Sequence, residues 1–225
     1  MIKRFSLLAC VAVFCSGQIC QVRVNPVTGS PLSDADADFI ISRNAEDSTA
    51  RVEADITRGF AGVRLEDGQT IEVNGEDLVG DRRDFDATVD ASDVYMIEVT
   101  DPRRGTDVTD VPEPQAFEIT SPGEGGDASL SGFTIEWQGA DEDLDVEVDI
   151  SQRLLGDNLS LSLGPATDEG RLEISSRRIA DAGFGQGEDL TITVTKIRRT
   201  NDIRGFADGR AETRLSVSID ATPQP

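Results

Sequence analysis

The sequence predicts an all-β protein, two β-sandwich-like domains in tandem behind an export signal. Three observations predict it. Apolar and polar residues alternate with period 2 through nearly every segment after residue 38. Turn-forming pairs such as Asp67-Gly68 and Asn74-Gly75 break the alternation at the spacing of about 8–12 residues that sandwiches and barrels produce. Helical character is confined to a short turn around Arg177 to Ala182.

Residues 1–20 have the make-up of a secretory signal peptide. Lys3 and Arg4 open the chain, Phe5 to Cys15 is an uncharged apolar run, and Ser16-Gly17 supplies small residues for a signal peptidase. The run is shorter than the ~20 apolar residues a membrane-spanning helix requires. No transmembrane segment is therefore expected in the mature chain. Cys20 is the lipidation candidate, standing where a bacterial lipoprotein's modified cysteine would, although Gly17-Gln18-Ile19 departs from a lipobox, which ends in a small residue. Residues 21–38 read as a flexible linker, because Asn25-Pro26, Gly29-Ser30-Pro31 and Asp34-Ala35-Asp36-Ala37-Asp38 combine turn formers with small residues. The Asp34-x-Asp36-x-Asp38 spacing suggests an EF-hand calcium loop. Phe39 and Ala45 stand where that loop demands Gly and Glu, so the linker reading wins.

Residues 39–110 are expected to form an N-terminal β domain. Ala50, Val52, Ala54 and Ile56 share one face of a strand, with Arg51, Glu53 and Asp55 on the other. Val63-Arg64-Leu65 leads through Glu66-Asp67-Gly68-Gln69 into Thr70-Ile71-Glu72-Val73, a predicted hairpin, and Asn74-Gly75 is a second turn of the same chemistry. Asp84 to Val89 and Val94 to Val99 add two strands, the latter carrying the only Tyr, Tyr95. Residues 111–115 read as an interdomain linker, since Pro112 and Pro114 stiffen the chain and cannot sit in a central strand.

Residues 116–222 repeat the β pattern. Phe133, Ile135 and Trp137 alternate with Thr134, Glu136 and Gln138; Leu144, Val146, Val148 and Ile150 alternate with acids. Leu159, Leu161 and Leu163, then Leu172 and Ile174, then Leu190, Ile192 and Val194 follow, and Ala211 to Ile219 closes the set. About seven strands in this length suit an immunoglobulin-like sandwich. Phe117-Glu118-Ile119-Thr120-Ser121-Pro122-Gly123, followed by Gly132-Phe133-Thr134-Ile135-Glu136-Trp137, resembles the first two strands of bacterial extracellular or cell-envelope immunoglobulin-like (fibronectin-III-like) domains. The resemblance covers Ala116 to Ala221 and implies a β-sandwich with Trp137 in its core. Unlike antibody domains, this half has no cysteine pair to bridge the sheets. Such families include adhesins, envelope scaffolds and enzyme appendages, so the fold names no single function.

Composition narrows the chemistry. The chain of 225 residues has 43 Asp+Glu against 21 Lys+Arg, a net charge of -22, and no His. Without His there is no Ser-His-Asp or Cys-His nucleophilic pair and no imidazole metal ligand. All 3 Cys lie at or before position 20, which excludes a disulfide framework, zinc finger or iron–sulfur site beyond it. So acidic a chain is not expected to bind nucleic acid. Gly183-Phe184-Gly185-Gln186-Gly187 looks superficially like a phosphate loop, yet it precedes a strand rather than joining a strand to a helix, and reads as an ordinary loop.

Two acidic stretches are the calcium candidates: Asp141, Glu142 and Asp143 at a strand entry, and Asp81, Asp84 and Asp86 in a loop. The plainer account is that the alternating Asp143, Asp145, Glu147 and Asp149 are the wet face of a half-buried strand. Arg outnumbers Lys by 19 to 2, with doublets at Arg82-Arg83, Arg103-Arg104, Arg177-Arg178 and Arg198-Arg199, and pairing with carboxylates within the chain is the default for these. The expected protein is non-catalytic and exported (extracellular, periplasmic or outer-membrane anchored), a binding or scaffold module for a protein or surface polymer with no cofactor. A calcium-stabilised adhesion module is the alternative. A hydrolase using an Asp/Glu pair would need two carboxylates at a set separation, and sequence alone names no such pair.

Overall fold

The computed structural model describes residues 30–154 and 156–225. The signal reading of residues 1–20, Cys20 with it, lies outside them. Leu32–Asp34 is a 3-10 turn, followed by β1 (Asp36–Asn44), β2 (Thr49–Arg58), β3 (Ala61–Gly62), β4 (Thr70–Val73), β5 (Glu76–Asp77), β6 (Val79–Asp81), β7 (Asp84–Asp90), β8 (Val94–Asp101) and β9 (Gly105–Pro112). The second half holds β10 (Ile119–Ser121), β11 (Gly126–Ser129), β12 (Gly132–Trp137), β13 (Asp145–Leu154), β14 (Asp157–Thr167), β15 (Arg171–Ser175), α1 (Ser176–Ala182), β16 (Leu190–Asn201) and β17 (Asp208–Gln224). The chain is thus predominantly β, with one short helix among the described residues.

A single large sheet organises the molecule, in the order β14-β13-β16-β17-β1-β2-β7-β6, with β11 added on β17 and β3 on β2. Two smaller sheets cover its inner side: β5-β4-β8-β9 over the first half and β10-β12-β15 over the second. Inward residues of period 2 fill each space. Phe39, Ile41, Val52, Ile56 and Phe85 meet Ile71, Val73, Tyr95, Ile97 and Val99 in one cluster. Val146, Val148, Ile150, Ile192 and Val194 meet Ile119, Ile135, Trp137 and Ile174 in the other. The result is sandwich-like and compatible with an immunoglobulin-like fold.

The two halves share more than the expected division at 111–115 implies. β17 pairs along its length with β16 and in parallel with β1, so the large sheet runs through both halves. Ile203 and Ala211, from the second half of the chain, belong to the first cluster. The expected stiff linker is itself built in. Val111 and Pro112 finish β9, and Glu113 is buried, its side chain held by Arg43 Nε at 2.8 Å and by the Tyr95 hydroxyl at 3.0 Å. Pro112 O accepts from Thr213 Oγ1 at 2.8 Å.

Two local expectations are corrected. Asp36 to Asp38, read as linker, are the first residues of β1, with Ala35 and Ala37 buried at 0% and 1% exposure. Alanine is small enough to pack an inward position at the base of the strand, and the intervening aspartates point to water. Asp101 anchors the same region: it accepts from Leu32 N at 2.9 Å, Gln69 Nε2 at 3.0 Å and Arg103 N at 3.0 Å. Burial opposes its ionisation, but these donors hold the carboxyl below its ordinary range. The second correction concerns Glu66 to Gln69. They do turn, with Gln69 N donating to Glu66 O, but they join no hairpin. Val63 pairs back to Ile56, whereas β4 pairs with β5 and β8. The Asn74-Gly75 hairpin forms as expected, both residues taking positive φ (52° and 83°) between β4 and β5.

Candidate functional site

Two places concentrate polar chemistry: a buried cluster under Trp137 and the outer face of the large sheet. In the first, β12 ends at Trp137, which donates from Nε1 to Asp168 Oδ1 at 2.7 Å. Asp168 also accepts from Gly170 N at 3.1 Å and Asp141 N at 3.3 Å, and pairs with Lys196 Nζ at 2.9 Å. The ammonium is completed by Gln138 O at 3.2 Å, by Gly139 O, and by the Phe117 ring 4.7 Å below it. Lys196 is 1% exposed and Asp168 0%. Each charge has partners for its lone pairs or protons, which is the condition for a buried ion pair to be tolerated. The cluster ties β12, the β14–β15 connection and β16 together.

The outer face is assembled by register. Asp38 stands opposite Asp55, Asp55 opposite Asp84, and Asp84 opposite Asp81; Glu53 stands opposite Asp86 in the next row. Like charges across strands repel. Arg83 relieves the row by forking onto Asp55 at 2.7 and 2.8 Å, and Arg51 pairs with Glu53 at 2.6 Å. On the other side of β1 the charges mix. Glu212 accepts from Arg199 at 3.0 Å and Arg214 at 2.9 Å. Burial opposes its ionisation, but the two guanidiniums outweigh it and hold the carboxyl below the usual range. A shallow basin of about 510 Å³ lies over the acidic rows, and one of about 650 Å³ over Arg199, Arg210 and Arg214. Asp38 and Ile40 belong to both, and Ile40 is an exposed apolar residue between them.

The calcium candidates are distributed through these features. Asp81 pairs with Arg64 at 3.0 Å, while Asp84 and Asp86 are exposed on β7 and lie on the acidic face. Asp141 pairs with Arg198 at 3.3 Å and accepts from Asp143 N at 3.1 Å, and Glu142 is exposed. Among the described residues no group of three or more acids is gathered as a metal cage. Sequence reasoning missed Asp168, Lys196 and Glu113. The usable signal was composition: beyond Lys3, Lys196 is the sole Lys in a chain that otherwise uses Arg.

Neither a protein-family model nor a curated protein matches the chain. Among the described residues no helix is long and apolar enough to cross a membrane.

Proposed function

We propose that the chain is a non-catalytic, exported binding or scaffold module, free or anchored at the cell envelope, whose second half is an immunoglobulin-like domain. Its recognition surface is the outer face of the large sheet. The observation that carries this reading is the pair of adjoining basins sharing Asp38 and Ile40, one edged mainly by acids and the other by arginines paired with Asp208 and Glu212. An apolar side chain between an acidic field and a charge-balanced one suits a partner with a cationic segment beside apolar groups, because such complementarity sets orientation and speeds encounter. The Met1 to Gly17 pattern supports export.

A short poly-lysine peptide tests the surface. The triple variant Asp38→Asn, Asp55→Asn, Asp84→Asn is expected to weaken its binding roughly tenfold, about 1.4 kcal/mol. The control Glu72→Gln, Glu98→Gln, Asp110→Asn removes as many charges from the four-stranded sheet and is expected to weaken binding far less. Equal losses would reduce the effect to net charge and remove the site. Cell fractionation with palmitate labelling tests the location: label lost on Cys20→Ser establishes the anchor, and a cytoplasmic protein overturns export.

A further inference from the structure

We propose that β14 is a self-association edge, through which two copies join their large sheets by antiparallel β14–β14 pairing. β14 pairs only with β13, so it closes the large sheet with one side of its backbone unmatched by another strand. Soluble proteins normally blunt such an edge with charge, a bulge or shortness. This one is eleven residues long and bulges only at Gly164-Pro165. Up to Leu163 it keeps regular register with β13, and Asn158 to Thr167 is uncharged, the longest such run among the described residues of a chain with net charge -22.

The sequence of the edge is self-complementary. Leu159, Leu161 and Leu163 point to the core side and are only partly buried, while Ser160 and Ser162 are exposed on the other. Antiparallel pairing centred on Leu161 sets Leu159 against Leu163 of the second copy and Ser160 against its Ser162. From Leu159 to Leu163 every cross-strand neighbour is then of matching kind. The leucines would extend the apolar wall of a groove of about 440 Å³ between the sheets, lined by Trp137, Val146, Val148, Leu163 and Leu172. Charge selects the occupant. Two copies of this acidic chain repel over most of their surfaces, and β14 is the stretch where strands can meet without opposing carboxylates. The contact is isologous, so it closes at a dimer.

Sedimentation of protein purified from a secreting host tests this. Dimer should grow with concentration and strengthen as NaCl screens the long-range repulsion between the bodies. Ser160→Glu sets a carboxylate on each copy against the other's Ser162, which hydrogen-bonds its own Asp149. The variant should remain monomeric under conditions where the parent dimerises. Ser218→Glu, on the same face but inside the sheet, should dimerise like the parent, and unchanged melting of both variants shows that the fold is kept. A parent that stays monomeric at high salt overturns the proposal. So does a dimer indifferent to Ser160→Glu, or one lost instead on deleting residues 21–29.

Discussion

At the scale of single residues, one lysine and one tyrosine give the sharpest readouts. Lys196 and Asp168 neutralise each other out of water, so removing either strands the other. Such losses cost about 3–5 kcal/mol. Lys196→Met and Asp168→Asn are each expected to lower the urea midpoint accordingly, and Asp168→Asn should shift the emission of Trp137, the only Trp, whose Nε1 loses its anionic acceptor. Tyr95 is a second internal probe. Burial first, and the Glu113 carboxylate second, push its phenol up to about 12 from an ordinary 10.0. A folded value above the ordinary one means this stabilisation is whole below about pH 10 and is lost as pH climbs through about 12. Absorbance of the single phenolate should therefore appear near pH 12, together with unfolding. Ionisation near pH 10 in the folded chain would contradict the buried Glu113 contact.

At the scale of elements, the strands were legible and their partners were not. Period 2 located β2, β12, β13 and β17, and Ser176–Ala182 confirms the one helical turn, capped by Ser175 and by Gly183 at φ 80°. Pairing is non-local and leaves little trace in the sequence. Nothing in Asp36 to Asn44 announces a parallel partner at Asp208 to Ser216, and alanines alternating with aspartates look like linker until Phe39 and Ile41 are seen to share their face. The same blindness hid Glu113, which between two prolines reads as solvated. In the structure it fastens β1 and β8 to the connection between the halves, through Arg43 and Tyr95. Glu113→Ala is expected to cost about 3 kcal/mol, since it strands a guanidinium only 12% exposed. Thr213→Val, which removes one neutral bond to Pro112 O, should cost about 1 kcal/mol. Equal effects in chemical denaturation would deny Glu113 its special place.

At the scale of the whole molecule, the acidity is spread rather than focused. Residues 35–112 carry -12 and residues 116–221 carry -11, and both ranges contribute strands to one continuous sheet. Outward rows such as Asp38, Asp55 and Asp84 store repulsion in the folded state that an unfolded chain dilutes by separating its charges. Salt should therefore stabilise the fold. The Debye length shrinks from about 10 Å at 0.1 M to about 3 Å at 1 M, which takes cross-strand neighbours from unscreened to partly screened. A relief of about 1–2 kcal/mol corresponds to a rise in melting temperature of roughly 2–8 °C for a chain this size. The nature of the cation decides between diffuse screening and a specific site. Asp81 and Asp141 are each engaged by an arginine, Asp84 and Asp86 are spaced along β7, and Glu142 and Asp143 are exposed in the turn before β13. Calcium chloride and sodium chloride at matched ionic strength are therefore expected to raise the melting temperature equally. A larger rise with calcium, abolished by Asp141→Asn or by Asp84→Asn, would show that one of these stretches closes on the ion, and the diffuse account of the charge would have to be given up there.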